Sequence, residues 1–261
     1  MTYTPSKYWI WLNERIKEML DKLGGYENFK RTAGYIYNND YLSSTTGEPR
    51  KVYNLDCTTL WQFLYQNSGV PKGLLDSFEE PLEGNPMSGN LDGRHVTIDL
   101  GCSILEYWNL SQYIDFNKIN TIYEIGGGYG RTAYVITKIY PSIKYILYDL
   151  ESSLEIASRY LTSVAPWGKF EFRTPDKLEG SCDLSIAINC MAEMTKQQVD
   201  SYFDFIDRNS SYFYFVTWLK SFCEKDNIIW ELKDYPVKKN WEILFSKPYV
   251  RLGWVEQLYK L

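Results

Sequence analysis

Apolar residues recur at three- and four-residue spacing near the start of the chain. Trp9, Leu12, Ile16, Met19, Leu20 and Leu23 are interleaved with Glu14, Arg15, Lys17 and Glu18. This pattern predicts an amphipathic helix over Lys7 to Leu23, stopped by Gly24-Gly25. Further helices are expected around Tyr26 to Tyr41, Thr58 to Tyr65 and Ile104 to Tyr113. Between Pro71 and Gly93 the chain is rich in Pro and Gly, with the turn dipeptides Asn85-Pro86 and Asp92-Gly93, so this stretch reads as a loop.

From residue 119 the period changes, and short apolar runs alternate with amphipathic ones. Strands are expected at Thr121 to Ile125, Ile143 to Asp149, Lys169 to Arg173, Leu184 to Asn189 and Ser211 to Thr217. The intervening helices cover Arg131 to Tyr140, a segment opened by a Ser152/Glu155 capping box, and one opened by a Thr195/Gln198 box. Two closing strands, Trp241 to Phe245 and Gly253 to Tyr259, have no helix between them and must form a hairpin. Repeated βα units imply an α/β fold with a doubly wound, mostly parallel sheet. The antiparallel ending is that of class I methyltransferases, a Rossmann-like fold, and not of nicotinamide-binding proteins. The change of period divides the chain into a helical and loop region, 1–117, and a sheet domain, 118–261.

Composition excludes several classes. The chain of 261 residues is 44% hydrophobic and 23% charged, with a formal net charge of −5, which argues against nucleic acid as a partner. No stretch has the roughly 18 apolar residues of a membrane span, and the charges of the first helix exclude a signal peptide. Five scattered cysteines without a CxxC pair point to neither a zinc site nor a disulfide framework, so a reduced, cytoplasmic setting fits. No metal is expected. The 23 Tyr, 12 Phe and 9 Trp serve mainly as core, although flat amphipathic rings also suit a carbohydrate or base site.

The candidate chemistry begins where the first strand of the sheet meets a helix. Glu124, Gly126, Gly127, Gly128, Tyr129 and Gly130 form an E-x-G-x-G-x-G loop, in which glycines allow a tight turn and close approach of a ligand to free helix N–H groups. A dinucleotide fingerprint would need Gly at 131, where Arg131 stands. The spacing is the S-adenosylmethionine form. Asp149 ends the second strand, 19 residues past Gly130, and can accept both ribose hydroxyls. Asp176, after the third strand, and Asn189, ending the fourth, are placed for the adenine amino group and the amino-acid end of the cofactor. Arg131, a cation in a helix first turn, needs compensation from Glu124, the cofactor carboxylate or an anionic substrate group. Trp218, ending the fifth strand, is a candidate pocket wall.

Several segments in order resemble the sugar O-methyltransferase family, class I enzymes of bacterial polysaccharide and glycan modification. They are Gly84-Asn85-Pro86, Gly93-Arg94 with Asp99-Leu100, Ser103 with Glu106-Tyr107, Gly126 to Arg131, Tyr148-Asp149-Leu150, Tyr160-Leu161, Met191-Ala192-Glu193-Met194, Tyr202-Phe203, Trp218 and Glu256-Gln257-Leu258-Tyr259. The resemblance covers about residues 80–261. It implies a sugar hydroxyl as methyl acceptor, under a helical N-terminal lid. A sugar hydroxyl needs a base, commonly worth about 10²–10⁴-fold. Glu193 is the leading candidate, beside a helix start at the sheet edge. His95, the only histidine, is the second, and Asp99 can serve as base or substrate contact. Methylation of another small molecule at oxygen or nitrogen, or a non-catalytic subunit that kept the fold, are the alternatives, and a homo-oligomer stays open.

Overall fold

The computed structural model describes residues 5–31 and 51–261. The chain begins with α1 (Lys7–Lys22), followed by a 3₁₀ segment at Tyr26–Arg31 where the second helix was expected; its remainder lies outside the described residues. Next come α2 (Lys51–Asn67), α3 (Lys72–Asp76), the hairpin β1 (Gly89–Leu91) and β2 (Arg94–Val96), and α4 (Ile98–Ser111). The expected loop at 71–93 therefore holds a short helix and a strand. Its Asp92-Gly93 dipeptide is the hairpin turn, with φ of 52° and 87°. Helix α4 starts six residues before the expected Ile104, because Thr97 caps it by accepting from the Leu100 amide. Gly101, inside its first turns, lets α2 pack close: a Cβ there would lie 3.0 Å from Leu60.

The sheet domain follows as β3 (Thr121–Ile125), α5 (Arg131–Ile139), β4 (Lys144–Tyr148), α6 (Glu151–Val164), β5 (Lys169–Arg173), β6 (Cys182–Ile188), α7 (Lys196–Asn209) and β7 (Ser210–Trp218). A small hairpin, β8 (Lys220–Cys223) and β9 (Ile228–Glu231), precedes the closing strands β10 (Glu242–Pro248) and β11 (Trp254–Lys260). The seven-stranded order is β10-β11-β7-β6-β3-β4-β5. Strands β3 to β7 run parallel, and β11 is antiparallel to both its neighbours. This is the class I methyltransferase fold. The Thr195/Gln198 capping box forms as expected. The one expected at Ser152 does not: α6 starts at Glu151 without a side-chain cap, and the Ser152 hydroxyl donates to Asn13 of α1 instead.

Alternate residues of each strand bury on opposite faces of the sheet. Ile122, Leu184, Ile186, Tyr214 and Val216 join a core that runs on through α4, α5 and Trp61 of α2. Ile125, Ala187, Phe213 and Phe215 join a second core under α7, with Trp230 and Trp241. Both faces are thus covered, as a parallel sheet requires. The chain winds outward from β3 to β5 and then returns to β6 on the other side of β3. That reversal opens a crevice at the carboxyl ends of β3 and β6, the place where such sheets bind ligands. No described helix is long and apolar enough to cross a membrane.

Candidate active site

The crevice is floored by the loop after β3. Gly126, Gly128 and Gly130 have φ of 69°, 55° and 91°, values that L side chains rarely adopt. At Gly126 a Cβ would stand 2.4 Å from the Cβ of Cys190 in the loop after β6, whereas nothing lies within 4 Å of one at Gly128. The turn is locked from below and open above. Asp149 secures it: its Oδ2 accepts from the Gly128 amide at 2.8 Å, and its Oδ1 from the Leu150 amide at 2.7 Å. Burial raises the Asp149 carboxyl to about 6, against the pull of those two amides. A carboxylate has about four lone-pair positions; the two amides and the Ser153 side chain take three, so one remains for a ligand hydroxyl.

Glu124 and Tyr129 belong to the loop's support and not to its open side. Glu124 is buried beneath the glycines, accepts from Tyr145 at 2.9 Å, and is raised to about 7 chiefly by burial. The Tyr129 hydroxyl donates to Asp99 at 3.0 Å, and its ring packs on Phe29 and Tyr160. Asp99, in the first turn of α4, is likewise buried and raised to about 7 by desolvation, with its Oδ1 unpartnered.

Arg131 requires a correction. Its guanidinium is buried and reaches Glu106 of α4 through two 3.0 Å hydrogen bonds, with Ser103 as a further partner. The hydrogen-bonded counter-charge is therefore on a neighbouring helix that sequence reasoning did not consider, while the expected Glu124 also feels the Arg131 charge. The side chain faces the interior and lines none of three cavities, the spaces of about 410 and 420 Å³ and the cleft of about 20 Å³. His95 also stands apart. It is exposed on β2, paired with Asn90 across the hairpin and with Ser88 through Nδ1, and lines neither the 410 nor the 420 Å³ cavity. Asp176 is exposed in a 3₁₀ turn next to Pro175.

The residues after β6 do converge. Asn189 takes φ of 52°, with its amide bound to the Val216 carbonyl, and its side-chain oxygen is buried without a partner. Glu193 ends a 3₁₀ turn at Met191–Glu193. Both line a cavity of about 420 Å³ with Tyr8, Trp218, Lys220 and Phe222. Among the described residues the Glu193 carboxylate receives no hydrogen bond, and burial followed by the charge of Asp149 pushes it up to about 8. Trp218 is 37% exposed, with its ring 4.6 Å from that of Trp254.

One part of this site was missed in the sequence, and the helix expected over Lys7 to Leu23 brings residues to it that the sequence did not assign. The β8–β9 hairpin supplies Lys220, Ser221 and Phe222, and the only local signal for it was its Asp226-Asn227 turn. Helix α1 crosses the crevice: Trp9 joins Gly126, Tyr148, Asp149, Pro175 and Cys190 around a cleft of only about 20 Å³. The helix is clasped by Asp226, which accepts from the Lys7 and Tyr8 amides at 3.0 and 2.9 Å, and by Ser6, which donates to the Glu193 carbonyl at 2.8 Å.

Among solved structures, the chain is similar to the PH0226 protein from Pyrococcus horikoshii OT3, at 13% identity and a TM-score of 0.48, over 59% of this chain and 86% of that one. It is also similar to the pyocyanin biosynthetic protein PhzM, at 11% and 0.48 over 62% of this chain and 56% of that one. For the mitomycin 7-O-methyltransferase MmcR the values are 12% and 0.49, over 97% of this chain and 68% of that one. No curated protein matches. Residues 102–181, from α4 to the edge of β6, match the family model of an O-methyltransferase domain, whose cofactor is S-adenosylmethionine.

Proposed function

We propose that this chain methylates a sugar hydroxyl, with Glu193 as general base, Trp218 as one wall of the acceptor pocket and α1 as a lid over the cofactor. The observation that carries this reading is the placement of Glu193. Its unpartnered carboxyl, with a proton affinity near neutral pH, faces a 420 Å³ cavity at the same sheet edge as Asp149 and the glycine loop. The volume is within the roughly 300–1,000 Å³ of small-molecule sites.

The donor set fits S-adenosylmethionine. The open glycine at 128 gives close approach, Asp149 keeps a lone pair for a ribose hydroxyl, and the orphaned Asn189 oxygen can accept from an ammonium group. The 20 Å³ cleft under Trp9 has room for about one water. Helix α1 must therefore lift for the cofactor to enter, and Gly24 and Gly25, with φ of 87° and 94°, supply a hinge.

S-adenosylmethionine supplies an electrophilic methyl carbon on a sulfonium that leaves as a neutral thioether. The chain's own task is alignment and proton removal. Trp218 and Tyr8 give flat faces against which a sugar ring can lie, and Asn189, Lys220 and Ser221 offer polar contacts beside them. Glu193 in its carboxylate form takes the hydroxyl proton as the oxygen–methyl bond forms. Alignment of this kind is worth on the order of 7–11 kcal/mol. The sugar itself rests on the sequence resemblance and on this mixed aromatic and polar lining. The same aromatic lining favours a second reading, a planar small-molecule hydroxyl. A screen of saccharides and phenolic acceptors with methyl-labelled donor decides between them: label on a saccharide supports the proposal, and label only on phenols overturns it.

A further inference from the structure

Trp218 borders two cavities. Behind the wall it presents to Glu193 lies a second space of about 410 Å³, whose lining includes Asp56 and Leu60 of α2, Ile98 of α4, and Arg251 and Trp254. Trp218 is the one residue common to the linings of both cavities. Its ring packs against that of Trp254, its cross-strand partner, with centroids 4.6 Å apart. The Leu219 amide, bonded to the Gly253 carbonyl at 2.9 Å, fixes the end of β7. The partition between the cavities is thus anchored to the paired ends of β7 and β11.

The second cavity has the chemistry of a saccharide subsite. Its exposed indole surface is that of Trp218; Trp254 also lines it but is only 2% exposed, with the Arg251 guanidinium 5.2 Å over its ring. It also holds Asp56, which among the described residues makes no hydrogen bond or ion pair and so keeps its acceptor positions for hydroxyls. A free monosaccharide in the Glu193 cavity would leave this space unused.

We propose that the second cavity binds the unit next to the one methylated, so that the acceptor is a glycan or glycoconjugate of at least two sugar units lying across Trp218. This inference rests on the sugar-acceptor reading above. A stacking face and a charged hydrogen-bond acceptor together correspond to a gain on the order of tenfold or more in kcat/KM.

The test compares, with methyl-labelled S-adenosylmethionine, methyl glycosides of monosaccharides with the matching di- and trisaccharides. The disaccharide is expected to exceed the monosaccharide by about tenfold in kcat/KM, and Asp56→Asn to shrink that ratio. Leu252 lines the same cavity and is 99% exposed, so Leu252→Trp can obstruct its mouth without disturbing the core, and it should also shrink the ratio. Equal kcat/KM for one and two units, or a ratio unchanged in both variants, would overturn the subsite while leaving the sugar reading intact. Label on no saccharide of any length, with cofactor still bound, overturns both.

Discussion

Replacing Glu193 by Gln removes the proposed base at constant shape, and the consequence can be worked out from its surroundings. With burial and Asp149 holding the carboxyl at about 8, the ratio of carboxylate to acid is 10^(7−8), or about 0.1, at pH 7, and about 10 at pH 9. The ionised fraction therefore rises about tenfold between those values, and kcat should rise with it. Glu193→Gln should flatten this limb and lower kcat at pH 9 by about 10²–10⁴-fold, with cofactor affinity nearly unchanged. The substitution also has a stability signature. The folded carboxyl binds its proton more tightly than the unfolded one, at about 8 against 4.5, so its contribution to stability declines as pH rises through that window. The Gln variant escapes the decline and should exceed wild type in denaturation midpoint at pH 9 but not at pH 4. Steady-state rates on whichever acceptor the screen yields, with denaturant titrations at the two pH values, provide the assay. A pH profile flat between 7 and 9, or wild-type turnover in the variant, refutes the assignment.

Other consequences are equally direct. Arg131→Met should leave the Glu106 carboxylate buried without its counter-charge and cost about 3–5 kcal/mol, read by denaturant unfolding; a loss below about 1 kcal/mol would contradict the buried-pair account. Gly126→Ala should abolish cofactor binding through the 2.4 Å clash with Cys190 and the positive φ, whereas retained affinity would show that the loop adapts. Asp226→Ala removes the acceptor for two α1 amides. A loss of about 1 kcal/mol, typical of a cap, would speed cofactor association about fivefold in stopped-flow fluorescence, and an unchanged rate would refute the lid.

Features carried by short-range pattern were legible in the sequence. β3 and β5 occupy the expected residues, the Thr195 box forms, and the terminal hairpin follows from the missing helix. Features set by contacts between distant segments were not. The start of α4 at Ile98 depends on Thr97 and on α2 packing at Gly101, and Ser152 looks like a cap until Asn13 takes its hydroxyl. The strands of the two small hairpins, three and four residues long, are too short for a period to show. The site divides along the same line. The glycine loop and Asp149 are a local motif, and the structure joins them by a hydrogen bond. Arg131 was rightly singled out as a cation needing a partner, but Glu106 lies 25 residues away on another helix, beyond the reach of local spacing. His95 drew notice as the only histidine, and scarcity carries no positional information.

The most direct measurement is a calorimetric titration of S-adenosylmethionine into the wild-type protein and into Asp149→Asn, with NAD as the control ligand. Saturable binding of S-adenosylmethionine alone, weakened at least about tenfold in the variant, is the predicted result. No heat with S-adenosylmethionine, or equal affinity in both proteins, would contradict the assignment of the glycine loop and Asp149 as the methyl-donor site.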